Sequence, residues 1–181
     1  NTTMVKPIAT VSVVPKLPEA LERLRELAYN LRWSWHHDTI NLFRRLDRDL
    51  WEETGHNPVM LLGSIDQRRL EALVEDSAFM THFHRVCNDF DAYMFSRDTW
   101  YSRNYGAAKA PHIAYFSMEF GLTEALQNYS GGLGVLSGDH LKSASDLGLP
   151  FVAVGIYWKK GYTRQGFDAS GRQTDTFRAL P

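Results

Sequence analysis

The sequence predicts an α/β chain: a helical amino-terminal unit followed by the opening of a second, incomplete α/β unit. Two observations lead there. Apolar residues recur at steps of three and four through the first half of the chain. Beyond a connector containing Gly and Pro, short apolar runs instead flank a glycine-rich loop. The expected segments are an extended lead-in over 1–15, a helical unit over 16–103, a linker over 104–111 and the incomplete α/β unit over 112–181.

Val11 and Val13 give the lead-in an extended character, and the prolines from Pro15 to Pro18 turn it into a helix that Pro18 can begin, with Glu19 placing negative charge in the first turn. Leu21, Leu24, Ala28, Leu31 and Trp35 then follow at helical spacing. A second helix is expected after Asp38 as cap, with Ile40, Phe43 and Leu46 on one face. Asn57-Pro58 marks another start, running to about Gly63, and Leu70, Leu73 and Val74 continue the pattern. The longest helix begins after Asp76 or Ser77 and carries Phe79, Phe83, Val86, Phe90 and Tyr93. The predicted buried face of the helical unit includes Leu24, Leu31, Trp35, Phe43, Phe83 and Phe90. In the second unit, Ile113 to Phe116 and Phe151 to Tyr157 read as strands, with a helix from about Leu133 to Leu147 between them. Strand, helix, strand implies a parallel pair whose two faces both need cover, which two strands cannot provide alone.

Hydrophobic residues are 44% and charged residues 23% of the 181, enough to build a sizeable core. The net charge of -1 supplies no field for nucleic acid or anionic lipid, and no run approaches the roughly 20 apolar residues that span a bilayer. Neither nucleic acid nor membrane is an expected partner. Ile8 to Val14 is too short and interrupted for a secretion signal, and the lone Cys87 suits a reducing compartment, so a cytoplasmic location is expected.

The most informative stretch is Tyr129-Ser130-Gly131-Gly132-Leu133-Gly134, directly before the second unit's helix. Glycines there let a ligand approach backbone N–H groups, and the helix dipole favours an anion, phosphate above all. A tight turn that needs positive φ is the plainer alternative. Gly132-Leu133-Gly134-Val135-Leu136-Ser137 nearly fits a dinucleotide fingerprint, but Ser137 replaces the third small residue and the loop lies far beyond its strand. Lys142-Ser143 lacks the upstream glycine of a nucleotide P-loop. Glu119 follows the first strand, where ligands of α/β sheets gather, and a solvated loop carboxylate is the alternative. His82 and His84 point to different helix faces, and no metal-binding spacing occurs, so no metal is expected. Trp33, Trp35 and Trp51 could stack on sugars, though aromatics in helical repeats are more often core.

Ser117-Met118-Glu119-Phe120-Gly121, then Ser130-Gly131-Gly132-Leu133-Gly134, then Gly138-Asp139-His140-Leu141-Lys142-Ser143-Ala144-Ser145-Asp146-Leu147-Gly148 resemble, in this order, the α-glucan phosphorylases. Leu27 to Trp35 and Leu50 to Pro58 are similar to the helical region of the shorter bacterial and archaeal type, so the resemblance covers nearly the whole chain. It implies a glycosyltransferase in which a helical region precedes the first Rossmann-like domain. The parent would use phosphate to cleave terminal α-1,4-glucosidic bonds of glycogen, starch or maltodextrin, releasing glucose 1-phosphate, with pyridoxal phosphate as cofactor. Gly131, Gly132, Leu133 and Gly134 match the phosphate-side loop. Glu119 matches a cleft-lining glutamate, and Ser130 stands where the animal-type enzymes have asparagine, as Val135 stands where they have arginine. The cofactor's lysine lies in a later domain, so no lysine here takes that role and no catalytic residue is assigned within this chain. The expectation is therefore an amino-terminal fragment, inactive alone, consistent with its start at Asn1 and its stop at Pro181. A non-catalytic helical module for glucan binding or assembly is the runner-up, a nicotinamide oxidoreductase the third class, and homo-oligomerisation stays open.

Overall fold

The computed structural model describes residues 14–106, 111–157 and 160–179, so the expected lead-in lies almost wholly outside the described residues. The chain is mostly helical with a few small strands. A 3-10 turn, Glu19–Leu21, precedes α1 (Arg23–Tyr29), a second 3-10 turn (Leu31–Trp35), α2 (His37–Leu46), α3 (Arg48–Glu53), α4 (Pro58–Ser64), α5 (Gln67–Glu75), α6 (Ser77–Phe95) and α7 (Trp100–Tyr105). Then come β1 (Ile113–Phe116), α8 (Gly132–Asp146), β2 (Phe151–Val154), β3 (Lys160–Phe167) and β4 (Gln173–Ala179).

Local chemistry sets many helix starts. The side chains of Asp47, Asn57, Asp66 and Asp76 accept hydrogen bonds from first-turn N–H groups of α3, α4, α5 and α6, with Pro58 opening α4. Asp38 is not the cap of α2. His36 holds that position, while the Asp38 carboxylate, in the first turn, receives Arg85 at 2.9 and 3.0 Å and His82 Nε2 at 3.0 Å. His82 is buried, and its Nδ1 lies 3.1 Å from the Arg45 guanidinium, so this ion network fastens α6 to α2.

One core of leucines and aromatics lies inside the helices. Phe43 stacks on Trp51 with ring centroids 6.1 Å apart, and Trp33 meets both edge-on. Leu24, Phe43, Phe83 and Phe90 are buried as expected. Leu31 and Trp35 correct the prediction, since Leu31 is 37% exposed and Trp35 only partly buried. α1 ends at Tyr29, the Asn30 side chain accepts from Arg32 N–H, and the following 3-10 turn shifts the phase so that Arg32 and Trp33 face inward. Trp33 and Trp51 are thus core, and the Trp35 indole donates to Asp146 at 3.1 Å.

β1 and β2 pair in parallel, Ile113 opposite Phe151 through Phe116 opposite Val154, with α8 between them in sequence. Among the described residues this is a two-stranded sheet and no Rossmann domain is present. The second strand ends at Val154 rather than Tyr157, and α8 starts at Gly132, one residue earlier than expected. α7 takes in Asn104 and Tyr105, the first two residues of the predicted linker. The antiparallel hairpin β3–β4 is not foreseen by the sequence reading. It turns at Asp168, whose carboxylate accepts from Ser170 and Arg172 N–H, and at Gly171, where φ is +80°.

Candidate functional site

The glycine loop and Glu119 meet. β1 ends at Phe116, the chain passes through Ser117 to Gly121, loops outward, and returns at Tyr129 to open α8. Glu119 Oε2 accepts the Ser130 N–H at 3.2 Å, and Gly121 N–H donates to Gly134 O at 2.7 Å. The loop is therefore pinned on both sides of its glycines.

The glycines divide by role. Gly131 has φ +72°, a conformation side chains rarely adopt, and as N-cap it offers no side chain to the first-turn N–H groups of α8. A Cβ on Gly131 or Gly132 would meet nothing within 4 Å. These two positions form the open side of the loop. Gly134 is different: its Cβ would stand 2.5 Å from Tyr129 Cβ and 3.1 Å from Glu119 Oε2. Leu133 is 59% exposed, and its carbonyl accepts the Ser137 hydroxyl. Chemically the open side presents helix-end N–H groups with no competing side chain, an arrangement suited to a phosphate oxygen.

Two residues that hold this geometry are named in the sequence reading without a packing role. Gly138 packs directly on the Gly121 backbone, since a Cβ there would fall 2.1 Å from Gly121 O. Ser137, which spoils the dinucleotide fingerprint, is fully buried and lies 3.1 Å from Ser117 Oγ and 3.3 Å from Tyr115 Oη, tying α8 to β1. The one sequence signal was the four-residue spacing of Gly134 and Gly138, which places both on one helix face.

Two side-chain clusters, the first also receiving the Trp35 indole at Asp146, seat this unit on the helices beside a backbone hydrogen bond from Tyr101 N–H to Leu147 O at 3.0 Å. At one, Tyr93 donates to Asp146 at 2.8 Å and lies 2.7 Å from Ser145 Oγ, while burial pushes its hydroxyl pKa up to about 12. At the other, His56 bridges Glu52, at 2.8 Å, and Glu124. The Glu124 hydrogen bond, followed by that of Glu52, raises the imidazole pKa above its ordinary value against the opposing effect of burial. Among the described residues, no three His, Cys, Asp or Glu side chains cluster to hold a metal ion, and no helix is long and apolar enough to cross a membrane.

A family model described as "Protein of unknown function (DUF3417)" matches residues 17–126. Glycogen phosphorylase from Mycobacterium tuberculosis is 47% identical over 180 residues, covering 97% of this chain and 21% of the relative. Maltodextrin phosphorylase from Thermococcus litoralis is 43% identical over 162 residues, covering 90% of this chain and 19% of the relative. Glycogen phosphorylase from Aquifex aeolicus is 42% identical over 154 residues, covering 85% and 21%. No solved structure matches. The resemblance read from the motifs is borne out, and the chain spans about a fifth of the length of these relatives.

Proposed function

This chain belongs to the protein family of unknown function DUF3417, and from that premise we propose that it forms the amino-terminal part of an α-glucan phosphorylase. The parent enzyme uses phosphate to cleave terminal α-1,4-glucosidic bonds, releasing glucose 1-phosphate. In this reading 16–103 is a helical domain, 104–111 a linker, and 112–181 the start of a Rossmann-like glycosyltransferase domain. The β1–α8–β2 succession with its parallel register supports the last of these.

The observation that carries the site assignment is the bare Gly131-Gly132 step at the start of α8, open to solvent and held by Glu119 through Ser130. Gly131, Gly132 and Leu133 present backbone to the phosphate side. Gly134 serves close packing, and Glu119 and Ser130 set the loop's shape. The parent's cofactor, pyridoxal phosphate, supplies a phosphate as proton partner when bound. The residues here fit only a share of that environment, helix-end N–H groups facing an anion, and its attachment lysine belongs elsewhere in the parent. The burial of Trp33 and Trp51 takes two of the three candidate stacking tryptophans out of reach of a sugar, which weighs against a purely glucan-binding module.

Gly132→Leu in the full-length parent tests the assignment, because a Cβ there has no protein atom within 4 Å and the added side chain stands on the open face. Turnover falls by about 10²- to 10³-fold with the helices intact, the size of effect seen when one preorganised donor is lost. Unchanged glucose 1-phosphate production would remove the loop from the phosphate site. This chain alone, incubated with maltodextrin, phosphate and pyridoxal phosphate, yields no product above the buffer control, since the site needs groups from a second lobe.

A further inference from the structure

The fifteen residues of α8 run about 22 Å along its axis, at about 1.5 Å each, and its two ends are held by different parts of the molecule. At the glycine loop the pins come from the β1 side, with Gly121 N–H on Gly134 O and the hydroxyls of Tyr115 and Ser117 against Ser137. At the far end they come from the helical unit. Asp146 Oδ1 accepts the Tyr93 hydroxyl at 2.8 Å and the Trp35 indole N–H at 3.1 Å. Just beyond, Tyr101 N–H donates to Leu147 O at 3.0 Å, and Gly148 lies so close to Thr99 that a Cβ there would stand 2.4 Å from its Oγ1. Tyr93 is itself held, its ring centroid 4.1 Å from the guanidinium carbon of the buried Arg32, which pairs with Asp89 at 2.8 Å. Asp146 carries the wrong charge for its place. An acid in the last turn of a helix opposes the macrodipole, and no basic residue in that turn offsets it. The two donors that reach it from the helical unit account for it where local helix chemistry does not.

Resting on the phosphate-loop reading above, we propose that Asp146 is a positioning residue for phosphorolysis: by tying α8 to Tyr93 and Trp35, it sets the direction in which the first-turn N–H groups face the phosphate. Those N–H groups project along the helix axis, so their aim is the aim of the axis. Pins at the loop end alone leave a pivot, and the anchor supplied by the helical unit removes it. The amino-terminal helices thereby take a part in a reaction whose phosphate-side loop lies in the other unit.

The test is steady-state kinetics of the full-length parent, with phosphate and maltodextrin varied in turn. Asp146→Ala raises the KM for phosphate about tenfold, within the roughly 10²-fold that a misplacement remote from the chemistry can cost, and leaves the KM for maltodextrin unchanged. Asp146 is exposed, alanine is the best helix former and the substitution removes the conflict with the dipole, so α8 itself is not weakened. Asp146→Asn keeps the wild-type phosphate KM, because the amide oxygen accepts the same two donors. Tyr93→Phe, which retains the ring under Arg32, gives a smaller rise and adds nothing to Asp146→Ala in the double variant, since both remove one contact. Gly132→Leu, measured in parallel, separates this proposal from the reading beneath it. If Gly132→Leu cuts turnover while Asp146→Ala leaves the phosphate KM at its wild-type value, the loop reading stands and the positioning role is overturned. Asp146→Asn as damaging as Asp146→Ala, or equal rises in both KM values, overturns it as well. A silent Gly132→Leu removes the loop reading and the positioning role together.

Discussion

The helical unit and the β1–α8–β2 unit of this chain handle their apolar residues in opposite ways. In the helices Trp51, Phe43 and Phe79 are fully enclosed and the apolar stripes of α1 to α6 converge on one core. In the second unit Phe116 is 72% exposed, and Met118, Leu136 and Val152 are exposed with it. A parallel sheet needs cover on both faces, and the buried residues of α8 are all small, Gly134, Ser137, Gly138 and Ala144, with the His140 ring lying against Tyr115 and Phe151. The contrast teaches that the helices carry a self-sufficient hydrophobic drive. The second unit is held by backbone-level fit, glycine against glycine, by hydroxyls shared between β1 and α8, and by a small ring cluster of Tyr115, Phe120, His140 and Phe151.

The largest expected effect breaks the contrast at its strongest point. Trp51→Ala removes a side chain enclosed by Phe43, Trp33 and His56 and costs about 3–5 kcal/mol in denaturant unfolding. Phe116→Ala, an aromatic truncation at an exposed position, changes stability by less than about 0.5 kcal/mol. Equal losses at the two sites would mean that the second unit has a core of its own.

A smaller effect tests the backbone fit directly. Gly138→Ala forces a methyl into the Gly121 carbonyl, a rigid backbone neighbour, and costs about 1–3 kcal/mol. The loss appears as faster hydrogen exchange along α8, with α6 unchanged. Gly132→Ala, six residues earlier on the same helix, meets no atom and stays within about 0.5 kcal/mol of wild type. If Gly138→Ala is equally silent, α8 is not seated on Gly121.

Much of this was legible because it is local. Asn57-Pro58 and Asp76 announce helix starts through chemistry confined to a few residues, and β1 is a short apolar run between a Gly/Pro-containing connector and a polar loop. The misassigned Leu31 and Trp35 show where periodicity fails: a 3-10 turn at Asn30 resets the helical phase, and spacing alone carries no mark of it. The β3–β4 strands, with few apolar residues and exposed Phe167 and Phe177, lack the alternation that reveals a half-buried strand, although Asp168 and Gly171 signal the turn. At the candidate site the glycines could be seen but not sorted. Which of them face open space and which face Gly121, Tyr129 or Glu119 depends on contacts made across the loop. His56 and Glu124 are far apart in sequence and share no motif, so their bridge had no signal at all.

That bridge gives the smallest expected effect, and it concerns the join between the two units. His56 stacks on Trp51 and spans Glu52 and Glu124, which raises its pKa in the folded protein. A base whose folded pKa lies above its unfolded value, about 6.5, contributes its full stabilisation below that unfolded value. The contribution is lost as the pH rises through the folded pKa. Both carboxylates are largely exposed, so screening keeps the effect to about 0.2–1 kcal/mol. His56→Asn is the fitting variant, because φ at this position is +60°, a conformation asparagine tolerates, and the amide carries no charge. Unfolding free energies measured at about pH 6, below the unfolded value, and again at an alkaline pH give the wild type an advantage over the variant at the lower pH that shrinks at the higher. An advantage that is the same at both values, or larger at the higher, would show that the ion bridge does not hold Glu124 to the helices.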